Sequence, residues 1–127
     1  MSQEITLPPI KYNKGDKYLH ILRLFDFGFP YNTMRNRELE VYAILVDLWH
    51  QYKNFPKAER NRLIFDYDSR IKISEKLGIS TKVVYNIMKD MRHKGIIDYD
   101  TMIDKYIIPD VDKITFVFEK NELDISK

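Results

Sequence analysis

Apolar residues recur at helical spacing through most of this chain. Tyr18, Ile21, Leu22 and Phe25 fall at i, i+3, i+4 and i+7 behind Asp16, a residue able to cap, and Gly28 with Pro30 supplies a stop. A strand over the same residues would mix Leu19, Ile21, Arg23 and Phe25 on one face, so the spacing predicts a helix. Residues 1–15 carry Pro8, Pro9, Asn13 and Gly15 and read as irregular or extended. A stronger helix opens with Asn36 as its cap and Glu38 and Glu40 in its first turn, where the dipole favours carboxylates, and runs to about Tyr52. Leu39, Tyr42, Ala43, Val46 and Trp49 make its inner face, and Val41, Ile44, Leu45 and Leu48 widen that face beyond a surface helix's stripe. This helix is therefore expected to be central and covered on two sides, by the N-terminal helix and by the unit that follows; a homodimer is the alternative cover for one side. Asn54 to Lys57 reads as a turn and Lys57 to about Phe65 as a short helix.

The stretch from Arg70 to Lys94 has the most specific pattern. Ile73 and Leu77 share one face of a short helix for which Asp68 is the expected cap. Gly78 suits the positive φ that ends such a helix. Ile79 turns back into the core, and Ser80 or Thr81 caps a second helix whose inner face carries Val84, Ile87 and Met91. Lys82, Tyr85, Asn86 and Lys89 then point outward, combining donors, a ring and positive charge. Such a surface suits a helix lying in a DNA major groove. Gly95 closes the helix, Ile96 and Ile97 follow, and two β-prone runs come next, Lys105 to Ile108 and Ile114 to Phe118, separated by Pro109, Asp110 and Asp112.

Helix, glycine turn, second helix ending in Lys-Gly-Ile-Ile and a hairpin together resemble the winged helix-turn-helix family over about residues 69–119. Ser74 stands where that family usually has alanine, and serine is small enough to fit. The resemblance implies a mainly α fold with a small β-hairpin (α+β), and a recognition helix reaching from Thr81 to Lys94. The expected organisation is one domain: an N-terminal extension and central helix over 1–56, the winged unit over 57–119 and a polar tail over 120–127. Wings that track DNA usually carry Arg or Lys at the tip, whereas the expected tip here, Pro109 to Asp112, holds two carboxylates. That wing is expected to stay off the phosphates.

Composition adds little by itself: 127 residues, 44% hydrophobic, enough for one core, with a net charge of only +2. The distribution of charge says more. Residues 69–95 hold seven Lys and Arg against Glu75 and Asp90, a net of +5, whereas residues 96–127 hold four Lys against eight Asp and Glu, a net of −4. Positive charge thus concentrates on the unit expected to read DNA. The absence of cysteine excludes disulfides and thiolate metal sites. The sequence shows neither a membrane-spanning apolar run nor a signal peptide, and the expectation is a soluble cytoplasmic protein.

Enzymatic motifs are missing. His20, His50 and His93 are dispersed without second ligands at helical spacing, the four glycines form no phosphate loop, and no serine sits in a nucleophile elbow. The expectation is a non-enzyme without metal or cofactor. Acid pairs such as Asp66/Asp68 and Asp110/Asp112 read as cap and turn residues.

The first functional reading is a transcription regulator that binds double-stranded DNA through Ser80, Thr81, Lys82, Tyr85, Asn86, Lys89 and Arg92. Asn86 would bond an adenine edge, Tyr85 would meet a phosphate or a thymine methyl, and the lysines would meet phosphates. Arg92, His93 and Lys94 also suit the helix dipole and have a structural alternative. A second reading is an adaptor that binds a protein, such as a polymerase subunit or replication factor, through the acidic wing or the central helix. A third is a phage replication-origin or packaging protein. The short Tyr- and Asp-rich chain has the character of a phage-type regulator.

Overall fold

The computed structural model describes residues 8–13, 15–25, 28–115 and 117–120. Five helices precede one small hairpin: α1 (Lys17–Leu24), α2 (Asn36–Gln51), α3 (Lys57–Ile64), α4 (Tyr67–Leu77), α5 (Thr81–His93), β1 (Ile97–Asp98) and β2 (Thr101–Met102). The strands are antiparallel, with Ile97 opposite Met102 and Asp98 opposite Thr101. The fold is mainly helical with a small antiparallel β element, as the sequence pattern predicts. Among the described residues no helix is long and apolar enough to cross a membrane.

The central helix is α2. Val41, Tyr42, Leu45 and Val46 have no exposed surface, and these positions span more than one side of a helix. Contacts with α1, α3, α4 and α5 account for that burial, so its apolar face is covered within one chain and offers no docking surface. Asn36 is the first helical residue rather than the cap. Arg35 is the N-cap, and its backbone N–H donates to Glu38 Oε1 at 2.8 Å. Asp16 occupies the N-cap of α1 without a side-chain cap bond, and Tyr18, Ile21 and Leu22 are buried as the spacing predicts. The short α3 is fixed to α2 by Arg60, whose Nε donates to Trp49 O at 2.7 Å while its guanidinium lies 3.9 Å over the indole.

The hairpin is not where the β-prone runs predict it. Its strands are Ile97–Asp98 and Thr101–Met102, whereas Lys105 to Ile108 and Ile114 to Phe118 form no strand among their described residues. Two features fix the observed hairpin. Ile97 and Met102 face each other in the core at 1% exposure each, and Asn61 Oδ1 accepts from Met102 N at 2.9 Å. The Asn61 amide also donates to Lys57 O, so a side chain of α3 takes the ladder position beside β2.

Downstream, Asp104–Tyr106 makes a 3-10 turn, and the chain then crosses α1 and α2 as an extended strap. Alternate residues of the strap are anchored. Tyr31 and Tyr42 hydroxyls both donate to Tyr106 O at 2.8 Å. His50 Nε2 donates to Ile108 O at 2.7 Å. Tyr18 Oη donates to Asp110 at 3.1 Å, and Lys17 Nζ reaches Asp110 at 3.2 Å and Asp112 at 2.9 Å. The β-prone run at Lys105 to Ile108 therefore finds hydrogen-bonding side chains instead of a strand. Asp110 and Asp112 are clasped to α1 and do not form a wing tip.

Candidate nucleic-acid interface

Residues 66–94 form two helices joined by the three residues Gly78, Ile79 and Ser80. Asp66, not Asp68, caps α4 by accepting from Ser69 N at 2.8 Å. Gly78 adopts φ +66°, and an added Cβ there would meet nothing within 4 Å, so backbone conformation rather than space demands glycine. Ile79 N donates to Ser74 O at 3.1 Å, and the Ser74 hydroxyl donates to Ile79 O. Serine at 74 thus closes the turn, a contact alanine would lack. Ser80 caps α5 by accepting from Val83 N at 3.2 Å, and half-buried Thr81 is the first helical residue.

The inner face of α5 is Val84, Met88 and Met91, all buried at 2% exposure or less, with Ile87 half-buried beside them. Met88 completes an i, i+4, i+7 stripe that the sequence reading assigned partly to Ile87. With Ile73 of α4 also fully buried, these residues hold α5 against α4 and α2. Exposed on the outside are Lys82, Tyr85, Asn86 and Lys89, together with Val83, Asp90 and His93.

Ion pairing divides the cations of this unit. Lys94 Nζ donates to Glu38 at 2.6 Å and to Thr33 O at 2.7 Å. Arg92 is turned onto the hairpin, where it donates to Tyr99 O at 3.0 Å and to Asp100 Oδ1 at 2.9 Å. Lys76 lies 3.6 Å from Asp16. By contrast Lys72, Lys82 and Lys89 have no carboxylate partner among the described residues, and the Asn86 side chain has no hydrogen bond there. Lys82, Asn86 and Lys89 follow one stripe at i, i+4 and i+7. Lys82 and Lys89 are separated by about 10 Å along the axis at 1.5 Å rise per residue, close to the width of a major groove.

Tyr85 is 46% exposed and has a cationic neighbour, Arg70, whose guanidinium lies 5.9 Å from its ring and 5.5 Å from that of Tyr67. Arg70 Nε is buried without a hydrogen-bond partner among the described residues. Arg70 and Tyr85 open onto a cleft of about 290 Å³ between α5 and the hairpin turn. The turn presents Tyr99 at φ +53° and 80% exposure, flanked by exposed Asp98 and by Asp100 in the Arg92 pair. Sequence reasoning missed Arg70 and Tyr99, because neither lies on the outer stripe of α5.

No known protein family, curated protein or solved structure matches this chain. What the surface can do therefore follows from its own chemistry. Two flexible ammonium groups flank a carboxamide on a rigid helix, with a phenol one position before it. Ammonium groups suit phosphates as point charges, and a carboxamide can present a donor and an acceptor together to an adenine edge.

Proposed function

We propose that this protein binds double-stranded DNA as a winged helix-turn-helix regulator, with α5 as the recognition helix. The observation that carries the reading is the division of cations. Arg92, Lys94 and Lys76 are consumed by contacts within the chain, whereas Lys82 and Lys89 have no carboxylate partner among the described residues and lie on one stripe with Asn86 between them. Lys72 on α4, also without a carboxylate partner among the described residues, adds a further cation for the backbone beside the groove. In this reading Lys82 and Lys89 meet phosphates, Asn86 reads a base and Tyr85 contacts a phosphate or a thymine methyl. Ser80 and Thr81 at the helix N-terminus lie near the backbone, and Arg92 acts by holding the hairpin.

A salt series of duplex binding tests it. A protein that neutralises phosphates loses affinity linearly in log salt, with a slope near 0.9 per phosphate contact. Three lysine contacts give a slope of about −3. Binding absent at low salt would end this reading.

One observation favours a second reading, an adaptor for a protein partner. The hairpin tip offers Tyr99, 80% exposed, beside exposed Asp98, while the nearby Arg92 is paired with Asp100. An exposed tyrosine with a neighbouring carboxylate suits a basic protein surface better than DNA.

A further inference from the structure

The strap holding Tyr106 to Asp112 is anchored at alternate residues, and no such anchors follow among the described residues beyond it. Lys113, Thr115, Val117, Phe118, Glu119 and Lys120 are exposed, with Val117 at 76% and Phe118 at 94%. Among the described residues of this run only Ile114 leans on the core, half-buried. This is the second β-prone run of the sequence, and its described residues form no strand with any part of the chain. Exposed apolar residues in an extended segment with open backbone donors and acceptors are a template for strand pairing.

The charges around this run specify a partner. When two copies of the segment are set antiparallel about a two-fold axis midway between Thr115 and Val117, Lys113 of each copy falls opposite Glu119 of the other. In the same register Asp112 falls opposite Lys120, Ile114 opposite Phe118 and Thr115 opposite Val117. Each of these pairs occurs twice, because the axis makes the interface self-complementary. Opposite charges directly across an antiparallel pair attract, and like charges repel. A shift of one residue either way removes the charge pairing and turns the apolar side chains to the other face.

We propose that residues 112–120 pair with the same segment of a second copy, forming a two-stranded antiparallel ribbon that makes this protein a homodimer. The occupant is a second copy because the complementarity is of the segment with itself. Ile114, already against the core, would bring Phe118 of the other copy onto the body of the protein, which gives the ribbon an apolar floor. Lys17 clasps Asp110 and Asp112 at the root of the ribbon and fixes where it leaves the body. The proposal does not rest on DNA binding.

Sedimentation of the full chain tests it. The wild type should be a concentration-dependent dimer. Lys113→Glu and Glu119→Lys should each weaken dimerisation by about tenfold or more, since each creates two like-charge contacts per dimer. The double variant should return to within about threefold of wild type, since the swapped pair is again opposite in sign. At concentrations where wild type is monomeric all three should melt like it, because the changed positions are exposed. The chain lacks cysteine, so register can be read independently. A mixture of Thr115→Cys and Val117→Cys proteins should oxidise mainly to the mixed disulfide. A monomer at every concentration, a dimer indifferent to the single swaps, or self-linked Thr115→Cys as the main product would each overturn the proposal.

Discussion

Lys94 Nζ lies 2.6 Å from Glu38 Oε1 and so ties the C-terminal end of α5 to the first turn of α2. Glu38 is only 3% exposed, and its other oxygen has no partner among the described residues. Oε1 also accepts from Arg35 N at 2.8 Å, so the ammonium supplies the countercharge and the amide a second hydrogen bond for this buried carboxylate. Lys94→Met should lower unfolding free energy by about 1–3 kcal/mol, the range for stranding a buried polar group. Urea denaturation measures it. A midpoint equal to wild type would mean that water already satisfies Glu38.

Val84 has no exposed surface and sits where α5 meets the core. Val84→Asp should cost about 4 kcal/mol or more and unfold the helix pair, because the carboxylate has no buried partner to meet. A thermal melt matching that of wild type would contradict the placement of α5.

The cations of α5 should separate into two kinds. Lys82→Ala and Lys89→Ala should each reduce the salt slope of duplex binding by about one and weaken all sequences alike. Arg92→Ala should leave that slope unchanged and instead lower stability by about 1 kcal/mol, through loss of its bonds to Tyr99 O and Asp100. Gel shifts at several salt concentrations, with a melt of each protein, distinguish the two.

Asn86→Ala should cost about 1–3 kcal/mol on a selected site and little on scrambled duplex, because a bidentate base contact exists only where the base is right. An unchanged ratio of the two affinities would remove base reading from Asn86.

Acid should loosen the strap. Lys17, and then Tyr18, hold the Asp110 carboxyl below its ordinary value of 3.8. A group with a depressed folded value adds stability above its unfolded value and loses it as pH falls through the folded one. Unfolding midpoints should therefore drop below pH 3.8, and Asp110→Asn should lower stability at neutral pH while flattening that drop. The same change should not strengthen DNA binding, since Asp110 belongs to the strap. A gain in affinity would place it near phosphates.

Much of the helical framework was legible because apolar spacing reports directly which side of a helix is buried. Tyr18, Ile21 and Leu22, the wide face of α2, and the Gly78 turn all follow from spacing or from backbone conformation. The hairpin was not legible. Its strands are two residues each, too short to show alternation, and one is held by the Asn61 side chain, which leaves no periodic trace. The strap was misread because β propensity reports a fit to extended backbone and not the partner. Here the partners are the Tyr31, Tyr42 and His50 side chains. On α5 the outer stripe was evident, but the capture of Arg92 depended on a hairpin placed elsewhere.

The clasp between Lys17 and Asp110 joins residues 93 positions apart in the chain. During synthesis at about 5–20 residues per second, roughly 5–20 s separate the appearance of the two. Once α2 is complete, α1 can rest on it but still lacks the strap that locks it. The N-terminal helix is thus added early and secured late, and a ribosome-bound chain halted before Tyr106 should carry an α1 that proteases still reach.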